Sequence, residues 1–123
     1  MIKPSAAIQG GLALSLVVLL ACACGSSSSA RASASAVQTS CQQVSAVLSD
    51  GPDPNSDPVG YAEAQILPLR QISAPDPALG TAITQLADAY QQFFASNGKS
   101  SNAKEAVAVA SKKLNSICPG AAS

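Results

Sequence analysis

The sequence predicts an all-α fold, a small up-down bundle of about four helices. Three observations carry this expectation. Apolar residues recur at alternating three- and four-residue spacings in four separate stretches, the pattern of one buried helix face. Residues that cap helix starts, and Gly or Pro that stop them, punctuate those stretches. Alanine, the strongest helix former, is abundant, and no run shows the two-residue alternation of a half-buried strand.

The first helix is expected to start at Ser40. Ser40-Cys41-Gln42-Gln43 has the form of a capping box, in which the serine and the glutamine satisfy each other's free amides. Cys41, Val44, Val47 and Leu48 follow at helical spacing, and Asp50-Gly51-Pro52 ends the helix. The second starts at Asp57-Pro58, with aspartate as cap and proline at the first helical position. Val59, Ala62, Ile66 and Leu69 form its stripe, and Pro68 predicts a kink or a break there. Asp76-Pro77 repeats the start signal for a third helix. Its stripe, Leu79, Ile83, Leu86, Tyr90 and Phe93, is the cleanest in the chain and marks it as the longest helix, ended by Asn97-Gly98. Asn102-Ala103-Lys104-Glu105 reads as a second capping box, followed by Val107, Ala110, Leu114 and Ile117 and closed by Cys118-Pro119-Gly120.

Helix parity then pairs two cysteines. Cys41 opens the first predicted helix and Cys118 closes the fourth. In an up-down bundle with an even number of helices those points share one end, as a bond needing Cα atoms within about 7 Å requires. The bundle is therefore expected over 40–119, closed by a Cys41–Cys118 disulfide, with 120–123 a short tail.

Upstream of it, the chain reads as a targeting segment. Lys3 supplies a small positive region, and residues 12–21 form an apolar run of roughly 10 residues, within the ~7–15 of a signal peptide and short of the ~20 of a spanning helix. Leu19-Leu20-Ala21-Cys22 resembles the lipobox of bacterial lipoprotein precursors. That resemblance implies a signal peptide over 1–21, cleaved before Cys22, with a lipid on the Cys22 thiol (and usually an acyl group on the new amine). Leu20 departs mildly from the smaller residue usual at its position. The same residues also allow an ordinary A-x-A cut, Ala21-Cys22-Ala23, giving a secreted, unlipidated chain from Cys24, and a shifted lipobox ending at Cys24. Residues 22–39, rich in Ser and Ala and nearly devoid of large apolar side chains, read as a flexible tether. In layout the chain resembles the small helical cell-surface lipoproteins of actinomycete-type bacteria, which implies an address and no activity. Expected partners are the membrane through the lipid, and an envelope protein or a second copy of the chain.

Composition removes several other functions. Seven Lys and Arg balance seven Asp and Glu, and no basic cluster is present to hold a nucleic acid. The chain contains no histidine, which takes away the usual general base, the serine-histidine triad and most zinc sites. No CxxC motif and no Gly-rich phosphate loop occur, so neither an enzyme nor a cofactor is expected. Asp50, Asp53, Asn55 and Asp57 gather four oxygen side chains in one turn, a weak calcium candidate whose residues also read as a helix stop, two proline turns and a helix cap. Leu67 and Phe94 lie beside their stripes, where they widen the core or form a small partner-binding patch. Tyr61 is expected half buried with its hydroxyl in water. The leading functional expectation is a non-enzymatic interaction module. The alternative is a small-ligand or lipid carrier with a cavity near Pro68, for which a groove lined by Leu67, Leu69, Tyr90 and Phe93 would speak.

Overall fold

The computed structural model describes residues 25–123. The expected signal peptide, the lipobox-like motif, and Cys22 and Cys24 lie outside the described residues. The described chain forms four helices, α1 (Gly25–Leu48), α2 (Pro58–Gln71), α3 (Pro77–Ala95) and α4 (Ser101–Ile117), and no strand occurs among the described residues. The all-α bundle expected from periodicity is the observed fold.

The start of α1 differs from the expectation. The helix begins at Gly25, not Ser40, so the stretch over 25–39 that reads as a tether is helical. Ser40 is buried inside the helix and caps nothing. Two physical reasons explain this. Alternating alanines from Ala30 to Ala36 supply propensity, and Thr39 Oγ1 donates to the carbonyl of Ser35 at 3.0 Å, keeping its hydroxyl satisfied within the helix. Residues 30–35 remain exposed, and α1 enters the bundle only from Ala36 and Val37 onward. At 24 residues α1, not α3, is the longest helix. It ends where expected: Gly51, at φ +105°, makes the turn, and its N–H donates to Asp50 Oδ1 at 2.9 Å.

Asp57 caps α2 as predicted, its Oδ1 accepting from the Gly60 N–H at 2.8 Å, with Pro58 in the first turn. A Cβ at Gly60 would press on the Asp57 carboxylate, which would have to shift to keep its cap. The helix runs through Pro68 without breaking and ends three residues later at Gln71. Proline falls in the last turn, where its missing N–H removes one bond from a segment anchored by buried Gln65, Ile66 and Leu69. Asp76 caps α3, accepting from Leu79 N–H at 2.7 Å. Leu79, Ile83, Leu86 and Tyr90 are buried as their spacing predicts, with Ala82, Ala87 and Ala89 beside them. Gly98, at φ +68°, stops this helix by donating to the Phe93 carbonyl at 2.9 Å. The cap of α4 is Ser100 rather than Asn102: Ser100 Oγ accepts from Ala103 N–H at 3.2 Å. The turn at Asn97-Gly98 delivers the chain to Ser100 in extended conformation, and the helix starts at once.

The core lies where α3 packs on α2 on one side and on α4 on the other. Leu69, Leu79, Leu86 and Leu114 are fully enclosed there. From α1 only Val44 and Leu48 are buried apolar residues, and that helix touches α2 far less extensively. The Cys41–Cys118 disulfide supplies the missing attachment, joining α1 to the cap of α4 with Cα atoms 5.4 Å apart across 77 residues of sequence. Beyond it the tail is docked. Ala121 is buried, and Asn115 holds Ala122 by two hydrogen bonds, Nδ2 donating to its carbonyl and Oδ1 accepting from its N–H.

Closing a loop of this length removes unfolded-state entropy worth up to about 4 kcal/mol. Since 1 kcal/mol moves Tm by roughly 4–8 °C in a domain of this size, reduction, or Cys41→Ser with Cys118→Ser, is expected to lower Tm by more than ~10 °C. Circular dichroism melts with and without reductant measure this, and superimposable curves would contradict it.

Candidate functional site

Several hollows mark the surface. A groove of about 600 Å³ runs between α1 and the C-terminal turn, with Val37, Cys41, Ile117 and Pro119 among its walls. A smaller cleft of about 220 Å³ lies at the opposite end, where four elements meet. Pro54 from the α1–α2 loop and Pro58 at the start of α2 form one side. Tyr61, Tyr90 and Phe93 supply aromatic surface, and Lys104 and Val107 of α4 complete it. A third hollow of about 130 Å³ sits beside Pro68, with Val47, Gly51 and Gln65.

The aromatic cleft has the most constructed walls. Tyr61 and Tyr90 meet edge to face, with ring centroids 5.8 Å apart and planes at 83°, a favoured arrangement of their quadrupoles. The Tyr61 hydroxyl is not in water as expected. It donates to the Leu48 carbonyl at 2.7 Å, using a backbone acceptor left free at the end of α1. Tyr90 is 7% exposed. Burial pushes its hydroxyl well above the usual tyrosine range, reinforced by the neighbouring Tyr61, while Ser111 partly offsets the shift. Tyr61 is raised too, chiefly by burial, against a smaller opposing effect of the neighbouring Tyr90. A Cβ at Gly98 would come within 3.2 Å of both the Phe93 ring and Val59, so residue 98 sits tightly against this wall. Lys104 is the one charged residue lining the cleft, and it forms no ion pair among the described residues.

The sequence-predicted candidates distribute as follows. Cys41 and Cys118 are bonded to each other. Asp50, Asp53 and Asp57 each accept a nearby backbone N–H, from Gly51, Asn55 and Gly60 respectively. These three and Asn55 are exposed, and no group of three or more metal-ligating Asp, Glu, Cys or His side chains occurs among the described residues. Each carboxylate thus serves the local turn. Leu67, Leu69, Tyr90 and Phe93 do not share a groove. Leu69 is sealed in the core, Leu67 is 67% exposed on α2, and Tyr90 and Phe93 belong to the cleft at the other end. Pro68 faces its own hollow. Phe94 packs against the core, widening its face. Leu67 and Val109, the latter 61% exposed, are the large apolar side chains left at the surface.

Gln65 escaped the sequence reading. It is 1% exposed, its Nε2 donates to the Asp50 carbonyl at 2.6 Å, and its Oε1 has no partner. It ties the loop after α1 to α2. Its position, three residues after Ala62 and four before Leu69, was the available signal, masked by its polarity. The Arg70–Asp88 ion pair, 3.1 Å across α2 and α3 and half exposed at both ends, contributes at most about 1 kcal/mol.

Fold and surface together define a small disulfide-closed helical domain with an aromatic cleft that carries a single lysine. No family model, curated protein or solved structure matches this chain.

The raised tyrosines give a pH dependence of definite sign. Below the unfolded tyrosine pKa of about 10 both states are neutral and the contribution is full. Above it the unfolded chain ionises first, so stability falls as pH rises toward the folded-state values. Absorbance at 295 nm is expected to stay low near pH 10 and to rise together with loss of the helical circular dichroism signal. A tyrosinate rise near pH 10 in a fully helical protein would contradict the burial described.

Proposed function

We propose that this chain is the precursor of a lipid-anchored extracytoplasmic protein, whose helical domain acts as a non-enzymatic interaction module at the cell envelope. The observation that carries the proposal is Leu19-Leu20-Ala21-Cys22 at the end of a short apolar run. It acts as an address: Cys22 receives the lipid and becomes the first residue, so the chemistry of that residue is attachment. The Cys41–Cys118 bond supports the same compartment, because structural disulfides persist where the surroundings are oxidising and are rare in a reducing cytosol. The inventory of side chains also favours binding over catalysis. Histidine is missing from the sequence, and the carboxylates of the α1–α2 loop are engaged as turn and cap acceptors. The exposed Leu67 and Val109 and the groove beside α1 offer apolar surface for an envelope protein or a second copy.

Intact mass of the protein from the membrane fraction, before and after reduction and alkylation, tests this. The expected species begins at Cys22, carries the mass of acyl groups on that residue and contains one internal disulfide. Cys22→Ser is expected to abolish the added mass and to release the protein from membranes. An unlipidated chain beginning at Cys24, or one retaining residues 1–21, would overturn the anchor.

A further inference from the structure

We propose that the cleft between Tyr61, Tyr90, Phe93 and Lys104 is a binding site for a small aromatic or short-chain apolar carboxylate. It adjoins a hollow of about 270 Å³ that shares Pro54, Tyr61 and Tyr90 and reaches the C-terminal residues; Phe93, Lys104 and Val107 belong to the cleft and not to that hollow. The walls come from the α1–α2 loop, α2, α3 and α4, so the site exists only in the closed bundle. The aromatic surface is held in place before any ligand arrives. Tyr61 is pinned by its bond to the Leu48 carbonyl and by the edge of Tyr90, and Phe93 packs against the core. A preorganised wall spares the ligand the entropic cost of ordering those rings. The Tyr61 hydroxyl is engaged inside the protein with the Leu48 carbonyl, so its ring, with Phe93, presents mainly apolar surface.

The ligand's charge follows from the lining. Aromatic faces by themselves attract cations. Here the lining includes Lys104, which has no ion-pair partner among the described residues, and no carboxylate. An ammonium ligand would meet a like charge, whereas a carboxylate would find a charge-assisted donor beside an apolar wall. The size follows from the volume. About 220 Å³ is below the ~300 Å³ at which sites for drug-sized molecules begin, enough for one ring with a short acidic arm and too small for a lipid chain pair. This site is independent of the lipid anchor, since it uses no residue before Pro54 except the Leu48 carbonyl.

The test uses the full chain with its disulfide intact and phenylacetate as the probe, followed by ligand-observed NMR. Phenylacetate is expected to bind saturably, and phenethylamine, which has the same ring with the opposite charge, is not. Lys104 is exposed, so Lys104→Gln is expected to fold with unchanged helicity and Tm, and to bind phenylacetate at least tenfold more weakly. Lys104→Arg is expected to keep affinity within about threefold, since a guanidinium pairs equally well with a carboxylate. The proposal is overturned if phenylacetate fails to bind, if phenethylamine binds as well, or if Lys104→Gln leaves the affinity unchanged.

Discussion

The Cys41–Cys118 bond is the constraint on which the rest of this structure depends. The helices that pack most extensively are neighbours in sequence, α2 with α3 and α3 with α4, and short turns suffice to bring them together. α1, although next to α2 in sequence, packs on it far less extensively. It offers Val44 and Leu48 to the core, and much of its first half is exposed. A covalent link from its middle to the cap of α4 converts an open row of helices into a closed domain. The composition of the core makes such a link valuable. Ala62, Ala82, Ala87, Ala89 and Ala110 line the helix contacts. Small side chains let helices approach, but each buries little apolar area, and hydrophobic stabilisation scales with that area at roughly 25 cal/mol per Å². A restriction on the unfolded chain supplies stability that the packing alone does not.

The bond also organises the surface. With α1 held down, the carbonyl of Leu48 lies within reach of Tyr61, whose ring meets Tyr90 across α2 and α3. The aromatic cleft is lined by the α1–α2 loop, α2, α3 and α4, and neither cysteine lines it. Cys41 and Cys118 thus act on the shape of the whole domain from outside the cleft.

Much of the fold was legible in the sequence because its signals were local. Asp57-Pro58 and Asp76-Pro77 name their helix starts in two residues, and the stripe from Leu79 to Tyr90 needed only counting. The failures have physical causes. Ser40 matched a capping box, but the Ala-rich residues before it are equally competent to be helical, and local propensity does not choose between a start and a continuation. Ser100 and Asn102 are both good caps two residues apart, and the turn set by Asn97 and Gly98 decides between them. Pro68 was tolerated because it falls in a final turn already anchored by packing. The cleft was only half visible. Tyr90 and Phe93 were marked as a possible lining, but their true companions, Tyr61, Lys104 and the two prolines, come from segments that only tertiary packing brings together. Gln65 stayed hidden because a polar residue in an apolar stripe declares its burial only when its partner, the Asp50 carbonyl, is known.

Site-resolved amide hydrogen exchange, on the oxidised and the reduced protein, examines the role of the bond most directly. With the bond intact, amides from Val44 to Leu48 should be protected nearly as well as those around Leu86. After reduction, protection in α1 should collapse first, while α2, α3 and α4 open together and at higher free energy. Equal loss across all four helices, or unchanged protection in α1, would contradict the view that this disulfide is what joins α1 to the bundle.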